Sequence, residues 1–458
     1  MFEQYAFSTV IHCAGPKAVN ESVRKPFLFF NKLVFLWWLV EMFKLNAENQ
    51  RFFSNAAFLA IIQAANSFLP LLTVPFLVRV LGVELFGQLA FAMALMFYFI
   101  VLADYGFNLT ATRAISIHRE NWVKVGRIYS CVMLIKFVLL LFSAFCLACL
   151  VFFVPALAEY RTLYFVSFLV VIGQSLFPVW FFQGIEKMKY VTYLSVLAKV
   201  FLTVGIFVFV SGPDDYLYVP LLTAMGTLLS VVLALYFVHG SYCVRFTWST
   251  WQEICTSLAE GWYVFLSQLK VTLFSSTNIV ILGIISGPIA VGYYVGAEKI
   301  MRTLALAQTP ITSALFPLIA KKMTSDRAGA IVKLKKVAYI GSALYIAVLL
   351  VVYALSDTII HLLYTDEMKS STWVLKSMLV IPLLIFLNNI FGTQILLNTG
   401  REKAFFYVLL CAALLSLLLC VGLTQLYSYK GTTIALLITE IFIVVVFFHL
   451  IRKDWWLV

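Results

Sequence analysis

The feature that most limits what this chain can become is a row of apolar runs, each long enough to carry a helix across a hydrocarbon core of ~30 Å. Twelve are legible, at roughly 54–80, 85–110, 128–154, 163–183, 190–211, 216–238, 262–285, 289–319, 337–356, 372–397, 404–426 and 431–451. With 63% hydrophobic and 12% charged residues and a mean hydropathy of +0.98, the chain is excluded from being a string of water-soluble domains. The expected fold class is an all-α membrane protein of twelve transmembrane helices.

The net charge of +12 is topological. With the N-terminus taken as cytoplasmic, seventeen basic residues fall on inside-facing loops and the C-terminal tail, among them Arg113, Lys124, Arg127, Lys187, Lys321, Lys333, Lys336 and Lys403, against four outside. That asymmetry places both termini in the cytoplasm and implies the bilayer, not nucleic acid, as the partner of the excess charge. Cys146 and Cys149 form a CxxC inside an apolar run, where they read as small buried hydrophobes. Asn20-Glu-Ser22 and Asn108-Leu-Thr110 match the glycosylation sequon but lie on no outside loop in this topology. No metal ligands and no catalytic groups are expected.

A cytoplasmic linker at 239–253 divides the runs six and six, predicting bundles at 42–238 and 254–458. The halves echo each other: Leu81-Gly82 pairs with Leu282-Gly283, and Gln183-Gly-Ile-Glu186-Lys187 with Thr399-Gly-Arg-Glu402-Lys403. Six intervening crossings make the repeat parallel. Outside loops are short, and turns such as Ser286-Gly287-Pro288 leave no room for a folded extracytoplasmic domain. Pro70, Pro75, Pro178, Pro310, Pro317 and Pro382 interrupt helices or their ends, as in transporters that bend.

Polar groups inside the runs are the candidate site. Arg79, Lys136, Lys199, Lys270, Lys299 and Arg302 face only Asp104, Glu298 and Glu440. A cation at mid-span costs ~2.5–3.5 kcal/mol on insertion scales, so something must offset it. Arg79 and Lys136 lie near enough to span ends to snorkel, and Glu298 and Arg302, four apart, share a face and can pair. The alternative is a basic chamber between two bundles, which would attract a phosphate or diphosphate. Asn66 and Asn278, with Gln63, Gln174, Gln268 and Asn388, supply hydrogen bonds suited to sugar hydroxyls. Asp104, Glu298 and Glu440 either balance neighbouring charges or, for Asp104 and Glu440, bind a coupling proton or cation.

Residues 1–41 stand apart. Thr9-Val-Ile-His12-Cys-Ala-Gly15-Pro-Lys17-Ala-Val-Asn-Glu21-Ser-Val-Arg24-Lys25-Pro26 resembles a strand-and-loop stretch of UDP-glucose 4-epimerases. That family's Gly-rich dinucleotide fingerprint and Tyr-x-x-x-Lys pair are missing, so the expectation is a relic of a fused gene, with the working protein starting near Met42. The other reading is an interfacial amphipathic helix near 27–45.

From Gln63 onward, the pattern Gln63, Asn66, Pro70-Leu-Leu-Thr-Val-Pro75-Phe-Leu-Val-Arg79-Val-Leu-Gly82, Phe86-Gly87, Asp104-Tyr-Gly-Phe107 and Thr112-Arg113 resembles the opening of O-antigen flippases. These sit in the polysaccharide-exporter branch that also holds multidrug-extrusion and lipid II transporters. The resemblance continues through Gly292-Tyr-Tyr294, Glu298-Lys299 and Gly400-Arg-Glu402-Lys403. It implies a non-enzymatic inner-membrane protein that moves undecaprenyl-diphosphate-linked oligosaccharide from the cytoplasmic to the periplasmic leaflet. No cofactor is expected beyond a coupling H+ or Na+, and other polysaccharide-assembly membrane proteins are candidate partners. Competing readings are a cation-coupled drug exporter of the same architecture, which should prefer an acidic chamber, and a membrane glycosyltransferase or polymerase, disfavoured by the short outside loops.

Overall fold

A computed structural model describes residues 47–456 apart from 243, 245 and 365; the side chains of some helical residues, Asn66 and Lys270 among them, are outside that description. Residues 9–26 and the rest of the 1–41 extension lie outside the described residues, as does most of the alternative interfacial helix. Contacts divide the chain into Met1–Ala57 and Phe58–Val458. The described part of the first unit is helical from Ala47, and the cores and cavities belong to the second.

Thirteen α-helices are described: α1 Ala47–Asp104, α2 Phe107–His118, α3 Trp122–Phe153, α4 Arg161–Leu176, α5 Val179–Gly184, α6 Met188–Phe209, α7 Tyr218–Tyr236, α8 Trp251–Leu306, α9 Thr309–Ser325, α10 Arg327–Leu363, α11 Lys369–Met378, α12 Ile381–Asn388 and α13 Glu402–Trp456. No strand occurs among the described residues. Nine helical stretches among them are long and apolar enough to cross a membrane. Large apolar side chains such as Phe153, Val123 and Leu418 are exposed, which suits lipid contact because the bilayer, unlike water, does not penalise them.

The long helices α1, α8 and α13 each contain one non-helical residue, Gly82, Gly287 and Ser428. Dividing the three there is consistent with the twelve crossings expected from sequence. Gly82 (φ +80°, ψ 169°) and Gly287 (φ +78°, ψ 178°) adopt almost the same backbone shape. A Cβ at either would meet open space, so it is the left-handed φ, not crowding, that calls for glycine. Gly283, which the sequence pairs with Gly82, lies within α8, where an added Cβ would fall 2.2 Å from the Phe91 ring; it is Gly287 that shares the backbone shape of Gly82.

Prolines mark several of the remaining breaks. Pro178 precedes α5, Pro310 opens α9 and Pro382 opens α12, positions where a missing N–H costs little. Pro70 and Pro75 sit inside α1, and Pro317 inside α9. The run expected at 289–319 is in fact broken at Ala307-Gln308. The run at 372–397 is split into α11, α12 and a π-helical stretch, Asn389–Leu396.

α8 begins with a capping box. The Thr250 hydroxyl accepts from the Glu253 N–H (3.3 Å), and Glu253 Oε2 accepts from the Thr250 N–H (2.8 Å). These bonds to the ionised form hold the Glu253 carboxyl below its ordinary range.

One core joins both halves of the chain: Val83, Phe86, Leu89 and Phe91 of α1 pack with Leu282, Val291, Tyr294 and Val295 of α8. Two further cores are separate. One gathers Phe107, Ile115, Tyr129 and Trp180, the other Ile331, Ile395, Phe447 and Trp455.

Candidate functional site

α1 and α8 cross where their small residues meet. A Cβ on Gly87 would lie 1.8 Å from the Pro288 carbonyl oxygen, and one on Gly292 would lie 2.5 Å from the Val83 oxygen. The backbones thus touch directly, the arrangement small residues permit between membrane helices. Further along, the Tyr98 hydroxyl and Thr277 Oγ1 are 2.5 Å apart. Tyr105 stacks on Phe265 with ring centroids 5.0 Å apart.

Between these contacts lies a cavity of about 420 Å³. Phe86, Leu89, Met93 and Phe97 of α1 face Ser276, Ile279, Val295, Glu298, Lys299 and Arg302 of α8 across it. The buried Glu298 carboxylate accepts from Arg302 Nε at 2.9 Å, with Nη2 at 2.8 Å. Glu298 is 4% exposed on its side chain and Arg302 47% exposed, so the guanidinium looks into the cavity while its partner is walled in. The half-buried Lys299 ammonium has no hydrogen bond or ion pair among the described residues. Three ionic groups on one helical turn thus carry a surplus positive charge into the space between the two chain halves.

Arg302 also lines a smaller chamber of about 140 Å³ with Asn278, Tyr294, Glu298 and Glu440. It borders as well a polar cavity of about 520 Å³ with Gln308, Thr312, Asn388, Asn389, Thr393 and Glu440. Glu440 Oε2 accepts from Asn388 Nδ2 at 2.7 Å. The π-helical turn after Asn388 presents both Asn389 and Thr393 to this cavity. Insertions of this kind often occur where helices carry function.

The structure brings together Asn278, Glu298, Lys299, Arg302 and Glu440 of the residues singled out by sequence. Others are elsewhere. The Arg79 guanidinium is exposed and donates to the Leu362 carbonyl at the far end of α10. Lys199 is half-buried on α6 without a partner among the described residues, and lines none of these cavities. Sequence reasoning missed Gln308, Asn389 and Thr393, single polar residues in apolar surroundings whose depth no local pattern reveals.

Lys136 does not snorkel. It is 1% exposed, with Nζ 2.7 Å from Asp104 Oδ1 and donating to the Ser175 carbonyl at 3.1 Å. Asp104 Oδ2 accepts from Asn108 Nδ2 at 2.9 Å, so both charges are neutralised and hydrogen-bonded. Removing one member of such a pair strands the other, at ~3–5 kcal/mol. Lys136→Met is therefore expected to lower the unfolding temperature of the detergent-purified protein sharply. The double variant Asp104→Asn/Lys136→Met should recover much of the loss.

A 640 Å³ cavity, lined by His118, Lys124 and Arg127 on one side and Glu253 and Glu260 on the other, opens between α2, α3 and the start of α8.

An all-α chain with charged cavities between long apolar helices has the architecture of a multi-pass membrane protein. The structure is similar to that of a lipid II flippase, MurJ, in an inward closed conformation (TM-score 0.69, 13% identity, 87% of this chain and 89% of that one). It is also similar to an inward-facing multidrug resistance MATE family transporter of the MOP superfamily (TM-score 0.64, 15% identity, 84% and 94%). Residues 52–323 match the family described as polysaccharide biosynthesis protein. A protein of Escherichia coli (strain K12) named "Putative O-antigen transporter" is 33% identical over 405 residues, covering 87% of this chain and 96% of that one. The chain belongs to the polysaccharide biosynthesis protein family. The epimerase-like stretch at 9–26 lies outside the family match, which begins at residue 52.

Proposed function

We propose that this protein is a flippase for an undecaprenyl-diphosphate-linked O-antigen or related polysaccharide repeat unit, carrying it from the cytoplasmic to the periplasmic leaflet of a bacterial inner membrane. The observation that carries this reading is the unpaired Lys299 beside Arg302 on the cavity between the chain halves. A diphosphate is the anion best matched to an ammonium and a guanidinium in a site of low dielectric. The hydrogen-bonding groups of Asn388, Asn389 and Thr393 offer partners for sugar hydroxyls in the adjoining cavity.

In this reading, bundles at 42–238 and 254–458 rock about the joint core, with both termini in the cytoplasm. Asp104 is committed to Lys136, which leaves Glu440 as the carboxylate for a coupling H+ or Na+. A drug exporter would need an acidic chamber for cations; here the carboxylate on the interface cavity is tied to Arg302. Other polysaccharide-assembly membrane proteins are the natural partners.

Deleting the gene and extracting lipid-linked oligosaccharide tests the proposal. Repeat units should accumulate on the cytoplasmic leaflet while surface glycan disappears, and the intact gene should reverse both. Normal surface glycan in the deletion strain would overturn it.

A further inference from the structure

On the far side of the α8–α9 break from the polar cavity runs a second concavity of about 520 Å³, almost wholly apolar. One wall is a stripe on α10, Lys333, Lys336, Ile340, Leu344 and Val348, spaced to share one helical face. The opposite wall is Leu304 and Ile311. The floor is fixed: the Tyr345 ring stacks on Phe386 with centroids 5.7 Å apart, and the Tyr345 hydroxyl donates to the Leu304 carbonyl at 3.0 Å. Gly341 admits the Phe386 ring, since a Cβ there would lie 2.4 Å from Cζ.

Two observations separate this groove from ordinary lipid-facing surface. Lys333 and Lys336 are exposed, sit at one end, and have no hydrogen bond or ion pair among the described residues. Gln308, 6% exposed, lines both the groove and the polar cavity that holds Arg302 and Glu440. Its Oε1 finds no donor among the described residues. It stands at the helix break, so an unsatisfied polar group lies between an almost wholly apolar groove and a cavity that carries Arg302, Asn388 and Glu440.

We propose that the groove seats the polyprenyl tail of a lipid-linked substrate, with Lys333 and Lys336 holding its diphosphate at the cytoplasmic leaflet and the glycan passing Gln308 into the polar cavity. The proposal rests on the flippase reading and names the loading position of the same substrate. Paired ammonium groups suit paired phosphates. Continuity with a chamber lined by Asn388 and Thr312 suits a sugar-bearing head, for which an ordinary phospholipid has no use.

The test uses the full chain in detergent with a polyprenyl diphosphate bearing a benzophenone in its tail. Irradiation should label peptides containing Ile340 and Leu344. Excess unlabelled polyprenyl diphosphate should suppress that labelling, and equal excess phosphatidylglycerol should not. The double variant Lys333→Gln/Lys336→Gln should lower labelling about tenfold, as expected for losing charge-assisted contacts. In cells, Leu344→Trp fills the groove and should cut surface glycan. Leu350→Trp, equally exposed on α10 at 64% but off the groove, should not. Labelling confined to other helices, or competed equally by phosphatidylglycerol, would overturn the proposal. Normal glycan in Leu344→Trp cells, with transport still lost in Lys299→Gln cells, would overturn it while leaving the flippase reading intact. Normal glycan in the deletion strain would remove both.

Discussion

Gly87→Leu is expected to abolish export of surface glycan while leaving the protein in the membrane. Where α1 meets α8, even a single methyl on Gly87 would sit 1.8 Å from the Pro288 oxygen and 2.8 Å from the Gly292 nitrogen. These are backbone atoms and cannot rotate away, so the helices must part. Overfilling a well-packed contact costs ~1–3 kcal/mol for modest additions, and a branched side chain against main chain lies at or above that range. The cost falls on the state in which these helix ends are joined. Each ~1.4 kcal/mol shifts its population about tenfold relative to a state in which they are apart. A transporter that cycles between the two would be held in one. Gly240→Ala, where a Cβ meets nothing within 4 Å, is the control and should behave as wild type. The readouts are surface glycan by gel and membrane abundance by immunoblot. Full export by Gly87→Leu at normal abundance would show that transport does not depend on this joint closing.

That joint illustrates what could be read from sequence and what could not. The apolar runs announce the helices because a chain so poor in charge has few other ways to satisfy its backbone in lipid. Ser286-Gly287-Pro288 is legible as a turn, yet the likeness of Gly287 to Gly82 is a likeness of dihedral angles, and the nearby Gly283 offers the same letter. Charges inside the runs are equally visible as violations, but their fates depend on helix rotation. Lys136 finds Asp104 across 32 residues of sequence, and nothing local predicts it. Glu298 and Arg302 pair as their spacing of four allows, because a single helix brings both side chains to one face. Pro310 hints at the break between α8 and α9, but the direction in which Gln308 points there depends on how the two helices meet, which no local pattern reveals.

The other large effect is expected at the cationic turn of α8. Lys299 makes no hydrogen bond or close ion pair among the described residues, and Glu298 keeps its bond to Arg302 without it, so Lys299→Gln should leave abundance and unfolding temperature near wild type. It should lower transport about tenfold or more, since hydrogen bonds to charged groups are worth ~1.5–3 kcal/mol. Lys299→Arg, which keeps the charge, should retain most activity. Arg302 requires a different design. Arg302→Gln alone leaves the buried Glu298 carboxylate without its counter-charge, so lost transport would be confounded with lost protein. Pairing it with Glu298→Gln removes the stranded charge, and the double variant should fold. Net charge in the cavity is unchanged by that pair of substitutions, so a deficit in the double variant isolates the guanidinium fork itself from the general positive potential. The expected result is normal abundance, repeat units held on the cytoplasmic leaflet, and surface glycan reduced about tenfold if one charge-assisted contact is lost. A double variant that exports normally, alongside an inactive Lys299→Gln, would assign the anion to Lys299 alone. If both export normally, the cavity between α1 and α8 does not hold the diphosphate.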